Sequence, residues 1–287
     1  MESKNSLFVR KDTIRFGDRV YSLDNPWVMG ILNVTPDSFY SDSRTDADTV
    51  LQRARVMVDA GARILDIGGY STRPGADEVS VEDEIHRVVP VIAQLREFMP
   101  EVILSVDTFR SAVAREAINA GAHLINDVSG GQLDDRMFET VAELQVPYIL
   151  MHMRGTPKTM QQLTDYDDLE SELMMYFADR IGRLRELGVT DIILDPGFGF
   201  AKDLKGNYAL FDVMKKIDME TGLPILAGLS RKSMINKVLK TTPDQALNGT
   251  TALNMLALMN GARILRVHDV RQAEETVKLF RAYTGDL

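Results

Sequence analysis

The strongest constraint on the fold is a repeated pattern in which a short apolar run is followed by a loop and an amphipathic helix. Short apolar runs are typical of parallel strands that are buried on both faces. The predicted strands cover residues 27–32, 63–67, 102–106, 123–126, 147–151, 191–194, 224–227 and 262–267. The predicted helices cover residues 47–60, 81–98, 110–120, 134–145, 168–187, 204–219, 243–259 and 270–283. Eight such strand–helix units predict a (β/α)8 TIM barrel.

Glycine residues lie where the predicted helices end. Gly61, Gly121, Gly188, Gly222 and Gly261 each separate a helical pattern from the next apolar run. Glycine is common at this position because it adopts the left-handed conformation without steric strain. The glycine positions therefore support the helix boundaries given above.

The segment before the first barrel strand follows a different pattern. Residues 7–23 alternate apolar and polar side chains around Lys-Asp and Gly-Asp pairs, which predicts a short antiparallel β-hairpin. We expect residues 1–287 to form one domain, with the barrel at 26–283, because no linker or change of composition interrupts the chain. A doubly wound parallel sheet is the alternative, but the sequence has no P-loop and no Gly-x-Gly-x-x-Gly after the first strand.

The composition excludes several classes of function. The net charge is −9 and no run of basic residues occurs, so nucleic acids and anionic membranes are not expected partners. The absence of cysteine excludes disulfides, thiolate metal ligands and cysteine nucleophiles. The 4 histidines are scattered, which argues against a built-in zinc site, and we expect His123 and His152 to fill structural positions. No apolar stretch has the length of a signal peptide or a membrane span, so we expect a cytoplasmic protein.

Polar side chains are concentrated where the predicted strands end, and this is the face that carries chemistry in α/β barrels. The first strand runs into Asn33-Val-Thr-Pro-Asp-Ser-Phe39, and Asp107, Asn126 and Asp195 lie at the ends of later strands. Burying polar groups is costly without partners, which indicates a polar ligand. Two carboxylates and an amide suit a flat heterocycle that presents adjacent N–H donors and a carbonyl group. Taken singly, Asp107 and Asp195 are equally compatible with loop-capping roles.

A second group of residues, at the last strand, predicts an anion site. Arg266 and His268 are two residues apart and so point the same way on a strand, and Asp269 is positioned to cap the next helix. Two cations beside a helix N-terminus favour phosphate binding. Arg231 fits either a surface position or an ion pair, and Lys232 would be a Schiff-base lysine only if it were desolvated.

Seven motifs occur in an order that resembles one enzyme family. They are Asn33-Val-Thr-Pro-Asp-Ser-Phe39, Ser71-Thr-Arg-Pro-Gly75, Ser105-Val-Asp-Thr108, Ile125-Asn-Asp127, Leu194-Asp-Pro-Gly-Phe-Gly-Phe200, Gly228-Leu-Ser-Arg-Lys-Ser233 and Arg266-Val-His-Asp269. In order and spacing these motifs closely resemble dihydropteroate synthase over about residues 26–283. That family joins (7,8-dihydropterin-6-yl)methyl diphosphate to 4-aminobenzoate in folate biosynthesis and is the target of sulfonamides.

The resemblance implies roles for individual residues. The pterin would be bound by Asp107, Asn126, Met151, Asp195, Phe200 and Lys232. The diphosphate would be bound by Asn33, Thr72, Arg73, Arg266 and His268, with Mg²⁺ held by Asn33 and the phosphates. The 4-aminobenzoate pocket would comprise Phe39, Thr72, Pro74, Lys232 and Ser233. The residues expected to act in catalysis are Asn33, Arg73, Asp107, Lys232, Arg266 and His268.

The reaction implied by the resemblance is the transfer of the pterin methylene group from diphosphate to an arylamine. The carbon–oxygen bond would break early, in a dissociative mechanism, once the charge of the leaving diphosphate is neutralised. The electron-rich dihydropterin ring would stabilise the cation, and the arylamine would attack without a covalent enzyme intermediate. Homodimers formed through the last helices are usual in this family, so we expect one here.

The sequence departs from the family pattern in two loops. Tyr70 stands where many members carry Glu, and the loop after Phe39 lacks a glycine pair that is often found there. Both departures bear on loop movement and on affinity for aminobenzoate or sulfonamides. Neither changes the expected reaction.

Three other functions are compatible with parts of the pattern. A pterin-dependent corrinoid methyltransferase is the runner-up, but the motifs at 71–75, 228–233 and 266–269 argue against it. A Schiff-base aldolase built on Lys232 is a poorer fit. A non-catalytic pterin-binding homologue would not need to retain both the heterocycle site and the anion site.

Overall fold

The described part of the computed structural model comprises residues 11–34, 44–70 and 78–285. Its strands are β1 (Thr13–Phe16), β2 (Arg19–Ser22), β3 (Trp27–Asn33), β4 (Ile64–Gly68), β5 (Ile103–Asp107), β6 (Leu124–Asp127), β7 (Tyr148–Met151), β8 (Ile192–Asp195), β9 (Ile225–Ala227) and β10 (Ala262–Val267). Its α-helices are α1 (Arg44–Asp59), α2 (Val81–Phe98), α3 (Ser111–Asn119), α4 (Met137–Leu144), α5 (Leu169–Glu186), α6 (Leu204–Thr221), α7 (Ser233–Leu239), α8 (Leu247–Met259) and α9 (Val270–Thr284).

Strands β3 to β10 form a closed barrel, and this confirms the predicted (β/α)8 architecture. Neighbouring strands in the barrel are parallel, and β10 pairs with β3 to close it. All residues of β4, β6, β7 and β8 are buried, because one face packs into the barrel and the other against the helices. Burial on both faces explains why continuous apolar runs predicted these strands to within one residue at each end.

The helices differ from the prediction by three residues or more in four places, the first being α1, which begins at Arg44 and not at 47. Helix α7 begins at Ser233, where the sequence pattern predicts no helix, because seven residues are too few for a clear helical period. Pro243–Gln245 forms a 3₁₀ turn, so α8 begins at Leu247 and not at 243. Helix α4 begins at Met137 and not at 134, because the Asp134 carboxylate accepts the backbone N–H of Arg136 and holds a turn there. No helix within the described ranges combines the length and the apolar character needed to span a membrane.

The glycines that follow the helices adopt the conformation expected of helix stops. The φ angles of Gly61, Gly121, Gly188, Gly222 and Gly261 lie between 62° and 113°. At Gly61 an added Cβ would lie 2.7 Å from Cγ of Glu274, so a side chain is excluded by space as well as by conformation. These glycines return the chain from the outer helices to the barrel strands.

The predicted hairpin is confirmed for the part of it that the structure describes, and residues 7–10 lie outside that part. Strands β1 and β2 pair antiparallel around Gly17. The buried side chains of Ile14 and Phe16 pack with Trp27 on the inward residues at the amino ends of the barrel strands. These inward residues are Met29, Ile64, Ile103, Leu124, Ile149, Ile193, Leu226 and Ile264. The hairpin therefore covers the amino end of the barrel, opposite the end where ligands bind in such folds.

Replacing Phe16 with Ala should lower the free energy of unfolding by about 3–5 kcal/mol, because it leaves a cavity beneath the barrel. Phe16 is buried and stacks on Trp27 with ring centroids 6.2 Å apart. The matched control is Val20→Ala in the same hairpin, where the side chain is exposed and the change should stay within about 0.5 kcal/mol. Urea denaturation measures both, and equal effects of the two substitutions would contradict this role of the hairpin.

Candidate active site

The strands bring most of the sequence-predicted site residues to one end of the barrel, which we call the mouth. Asn33, Asp107, Met151 and Asp195 are each the last residue of a strand. In the strand register Asp107 lies opposite Asn126, and Met151 lies opposite Asp195. Parallel strands end at the same edge, so polar groups that are distant in the sequence become neighbours.

Arg266 lies at the centre of a buried network in the mouth. Its Nε atom donates to Oδ2 of Asp66 at 2.6 Å, and its Nη2 atom donates to Oδ2 of Asp107 at 2.6 Å. Asn126 donates through Nδ2 to the same Asp66 oxygen at 3.0 Å. Asp66 is fully buried, and its Oδ1 atom has no hydrogen-bond partner among the described residues. The guanidinium group therefore holds two carboxylates together, and its Nη1 atom has no partner in the described part of the chain.

The electrostatics of Asp107 follow from this network. Burial raises the pKa of the Asp107 carboxyl above its usual range, and the positive charge of Arg266 opposes that rise. Asp66 lies on the other side of Arg266 and adds a second negative charge. The pairing with Arg266 thus keeps two carboxylates close together in a site where neither would be stable alone.

Asp195 and Lys232 form a second polar pair in the mouth. The Asp195 carboxylate accepts the backbone N–H of Gly197 at 2.7 Å through Oδ1. A Cβ placed on Gly228 would lie 3.7 Å from Nζ of Lys232 and 4.0 Å from Oδ2 of Asp195, so both groups border the same space. Burial lowers the pKa of Lys232 to about 8, and Asp195 opposes the shift. Burial likewise raises the pKa of Asp195, and Lys232 opposes that shift.

The Lys232 side chain also contacts the turn that follows β8. Its Nζ atom donates to the carbonyl oxygen of Phe198 and lies 4.8 Å from the centroid of the Phe200 ring. Lys232 occupies the N-cap position of α7, and Ser233, the first residue of that helix, is exposed. The helix that the sequence pattern did not predict is therefore the element that presents Lys232 and Ser233.

An apolar wall stands beside the polar groups. Met151 belongs to a buried cluster against which Phe200 and Phe109 pack. The other members of this group are Val128, Met153, Met160, Ala201 and Leu133. A mouth with carboxylates on one side and an aromatic and thioether wall on the other fits a flat heterocycle with a polar edge.

The structure shows where the residues of the predicted anion site lie, and it corrects one expectation about Asp269. His268 follows β10, as predicted, and its Nδ1 atom lies 2.9 Å from Oγ of Ser230. Asp269 occupies the N-cap position of α9, but its side chain makes no capping bond. The carboxylate instead accepts hydrogen bonds from Nε and Nη2 of Arg231, at 2.9 and 2.8 Å. The expectation of a side-chain cap was wrong because a bidentate guanidinium–carboxylate pair is stronger than a single capping bond.

Asn33, which the sequence predicts to hold a metal ion, lies at the mouth as the last residue of β3. Its Oδ1 atom would lie 3.7 Å from a Cβ placed on Gly68, so the amide group faces the neighbouring strand end. Among the described residues no group of three or more His, Cys, Asp or Glu side chains is arranged to hold a metal ion. Mg²⁺ is commonly bound by one or two protein oxygens together with substrate phosphates, and a single amide oxygen fits that mode.

Four sequence-predicted residues lie outside the described residues. They are Phe39, Thr72, Arg73 and Pro74. Their roles toward aminobenzoate and diphosphate stay predictions. The first of the two family departures, Tyr70, is described, whereas the loop after Phe39 is not.

Tyr70 packs in a cluster at the edge of the mouth. Its ring meets that of Phe109 edge to face with centroids 5.3 Å apart, and the Arg110 guanidinium lies 5.3 Å from the Tyr70 centroid. Arg110 also donates to Oε2 of the buried Glu84 at 2.7 Å and to the carbonyl oxygen of Val79 at 2.6 Å. Arg110 therefore contacts residues on both sides of 71–77, and Tyr70 provides an aromatic face at this edge of the mouth.

Two buried residues of the site were not predicted from the sequence. Asp66 lies within an otherwise apolar strand, and a charged residue in such a run is a signal that could have identified it. Lys202 is buried behind the turn that follows β8, and its Nζ atom lies 3.0 Å from Nδ1 of His152. His152 occupies a buried position, as expected, although it also pairs with this lysine. Nothing in the local sequence distinguishes Lys202 from an exposed lysine.

Replacing Arg110 with Met should lower the free energy of unfolding by about 3–5 kcal/mol, because it leaves the buried Glu84 carboxylate without its hydrogen-bonded cation. Burial raises the pKa of Glu84, so the deficit should shrink as the pH falls and that carboxyl group becomes neutral. The double replacement Glu84→Gln and Arg110→Met should recover most of the loss. Arg115→Met is the control, because its partner Glu143 is exposed and the loss should be at most about 1 kcal/mol. A loss of that small size for Arg110→Met, measured by chemical denaturation, would contradict the pairing.

The sequence and the fold match proteins of one family. A model of the pterin binding enzyme family matches residues 29–268. The dihydropteroate synthase of Escherichia coli (strain K12) is 45% identical over 264 residues, which is 91% of this chain and 92% of that protein. The structure of Yersinia pestis dihydropteroate synthase in a sulfonamide drug complex superposes with a TM-score of 0.89 at 43% identity, covering 95% of this chain and 99% of the other.

A second similar structure was solved with 4-aminobenzoic acid bound. The Xanthomonas albilineans dihydropteroate synthase with 4-aminobenzoic acid superposes with a TM-score of 0.87 at 39% identity and covers 95% of this chain and 98% of the other. The matches to these three proteins cover at least 91% of this chain. The chain therefore belongs to the dihydropteroate synthase family of pterin binding enzymes.

Proposed function

We propose that the protein condenses (7,8-dihydropterin-6-yl)methyl diphosphate with 4-aminobenzoate to give 7,8-dihydropteroate and diphosphate. Because it belongs to the dihydropteroate synthase family, it is a transferase of folate synthesis. The observation that supports this substrate pair best is the mouth itself, where Asp107, Asn126, Asp195 and Lys232 border an apolar wall. We also propose that residues 1–287 work as one domain.

The pterin is proposed to bind between the polar groups and the apolar wall. The carboxylates of Asp107 and Asp195 would accept the N–H donors on the pyrimidine edge of the ring. The amide of Asn126 uses Nδ2 for Asp66, which leaves Oδ1 as an acceptor for the ring. Lys232 would donate to a ring acceptor, while Met151 and Phe200 would pack against the flat faces.

The diphosphate is proposed to lie on the Arg266 side of the mouth. Arg266 would use its remaining donor atoms for phosphate oxygens while it stays paired with Asp66 and Asp107. His268, together with Asn33, Thr72 and Arg73, would supply the other contacts. A bound Mg²⁺, held by the amide oxygen of Asn33 and by phosphate oxygens, would add positive charge next to the leaving group.

The chemical step is proposed to be dissociative. The bond between the pterin methylene carbon and the diphosphate oxygen breaks, and its electron pair leaves with the diphosphate. The dihydropterin ring and the carboxylates of Asp107 and Asp195 stabilise the carbocation. The nitrogen of 4-aminobenzoate then forms a bond to the carbon and loses one proton. This attack needs alignment of the two substrates more than it needs a strong base.

The 4-aminobenzoate pocket is proposed to comprise Phe39, Thr72, Pro74, Lys232 and Ser233. The complexes of the relatives with a sulfonamide drug and with 4-aminobenzoic acid support this ligand class. We expect sulfonamides to compete with 4-aminobenzoate for the pocket. A methyltransferase is the second candidate, but no feature of the described structure favours it over the synthase.

We further propose that the protein is a cytoplasmic homodimer without nucleic acid or membrane partners. Large apolar side chains are exposed along the last three helices. They are Val238, Leu239, Leu256, Met259, Leu279 and Tyr283. Exposed large apolar side chains are typical of protein interfaces when they cluster, and a second copy of the chain is the partner usual in the family.

Purified protein supplied with the pterin diphosphate, 4-aminobenzoate and Mg²⁺ should produce 7,8-dihydropteroate and diphosphate in equal amounts. Lys232→Ala should lower kcat/KM by about 10²-fold or more, because it removes a contact to the pterin, while the melting temperature changes little. Lys237→Ala, an exposed residue of the same helix, is the control. Near-normal turnover by Lys232→Ala would contradict the site assignment, and no product from the wild type would contradict the proposed function.

Replacing Arg266 with Gln should weaken binding of the pterin diphosphate much more than binding of the bare pterin alcohol, because only the former loses phosphate pairing. The single variant should also lose about 3–5 kcal/mol of stability, since Asp66 is left buried without its cation. The double variant Asp66→Asn and Arg266→Gln should recover stability without recovering affinity for the diphosphate. Calorimetric titration and chemical denaturation separate the two effects. Equal losses for both ligands in the double variant would count against the anion site.

A further inference from the structure

Lys202 is a buried cation directly behind the turn that follows β8. Its side chain is only 4% exposed. The Nζ atom lies 3.2 Å from the carbonyl oxygen of Gly197, 3.0 Å from that of Phe200 and 3.0 Å from Nδ1 of His152. Three acceptors match the three N–H bonds of an ammonium group and favour the charged form of the lysine, while burial lowers the pKa of Lys202 to about 7 and the charge of Asp195 opposes that shift.

His152 contributes an acceptor to this arrangement. The imidazole is buried, and burial together with the charge of Lys202 lowers the pKa of His152 to about 2. A neutral imidazole offers one nitrogen lone pair, which can face the ammonium group. The backbone N–H of His152 donates to the carbonyl oxygen of Asp195 at 2.9 Å, so the same residue also anchors the end of β8.

The turn between Asp195 and Lys202, which we call the 195–202 turn, needs such support because its backbone is unusual. Gly197, Gly199 and Ala201 have φ angles of 74°, 82° and 49°. A Cβ placed on Gly197 would lie 2.1 Å from the carbonyl oxygen of His152, so the turn is pressed closely against the chain after β7. Carbonyl groups that point inward in such a turn need donors, and Lys202 supplies them for two residues.

The 195–202 turn carries or orients three groups of the mouth. Gly197 donates its N–H to the Asp195 carboxylate, and the carbonyl oxygen of Phe198 accepts Nζ of Lys232. The ring of Phe200 lies 4.8 Å from the same Nζ atom. A shift of the turn would therefore move the carboxylate, the ammonium group and the aromatic ring together.

We propose that Lys202 is a positioning residue for the pterin site, fixing the 195–202 turn from behind so that Asp195, Phe200 and Lys232 converge on the ligand. It does not itself touch the substrate. Asn207 supports the opposite side of the turn, since its Oδ1 atom accepts the N–H of Gly199 at 2.6 Å. The proposal rests on the proposed function only in taking a pterin as the ligand.

The test is the variant Lys202→Met, which keeps the length of the side chain but removes the charge and all three hydrogen bonds. Lys205→Met is the matched control, because Lys205 is an exposed lysine in the first turn of α6. Lys202→Gln, which retains an N–H donor, is measured in parallel in case the Met variant does not fold. For each folded protein, calorimetry gives the Kd of the pterin alcohol, and steady-state assays give the KM for the aminobenzoate substrate. Hydrogen exchange of peptides that cover 195–204 reports the turn directly.

The positioning role predicts that Lys202→Met weakens the pterin about tenfold or more, while the KM for aminobenzoate rises by a clearly smaller factor, because that pocket shares only Lys232 with the turn. Hydrogen exchange should rise in 195–204 and not in the other peptides, and Lys205→Met should behave as wild type. A folded Lys202 variant that binds the pterin as the wild type does would overturn this inference alone. Equal losses for both substrates, or faster exchange throughout the protein, would indicate a general structural role of Lys202 and would also overturn this inference. A wild type that binds no pterin would overturn the proposed function first, and this inference with it.

Discussion

Arg266 holds β10 to β4 and β5 through hydrogen-bonded ion pairs with Asp66 and Asp107, and the rest of the mouth depends on this contact. Two buried carboxylates so close to each other would repel, and each would lose the stabilisation that water gives to a charge. The guanidinium group reduces both penalties because its planar donors reach both acids at once. A polar site can therefore exist at the end of a barrel whose strands are otherwise filled with apolar side chains.

The same charges divide the mouth into two regions that suit different ligands. On one side Asp195 and Lys232 balance each other beside the apolar wall, which suits an uncharged flat ring with donors and acceptors. On the other side Arg266 and His268 stand before α9, which suits an anion. A substrate that joins a pterin to a diphosphate spans both regions, and its reactive carbon would lie where they meet.

The sequence was sufficient to predict the strands, because parallel strands buried on both faces leave continuous apolar runs. It also predicted that Asp107, Asn126 and Asp195 would lie at the same end of the barrel, since each lies at or next to the carboxyl end of a barrel strand. It did not predict Asp66 or Lys202, whose roles depend on partners 200 and 50 residues away in the chain. It likewise did not predict α7, which is too short to show a helical period, or the pairing of Asp269 with Arg231, which is decided between two strand ends. Long-range pairings of this kind leave no local pattern.

Separate but adjoining sites for a pterin ring and for diphosphate in the mouth are the central claim to be tested. The most direct measurement is a calorimetric titration of the pterin alcohol into the wild-type protein, without diphosphate and then with saturating inorganic diphosphate and Mg²⁺. We expect the pterin to bind in both titrations with a Kd that is not weakened by diphosphate, because different side chains hold the two ligands. Displacement of the pterin by diphosphate would contradict the claim, since the two ligands would then occupy one site.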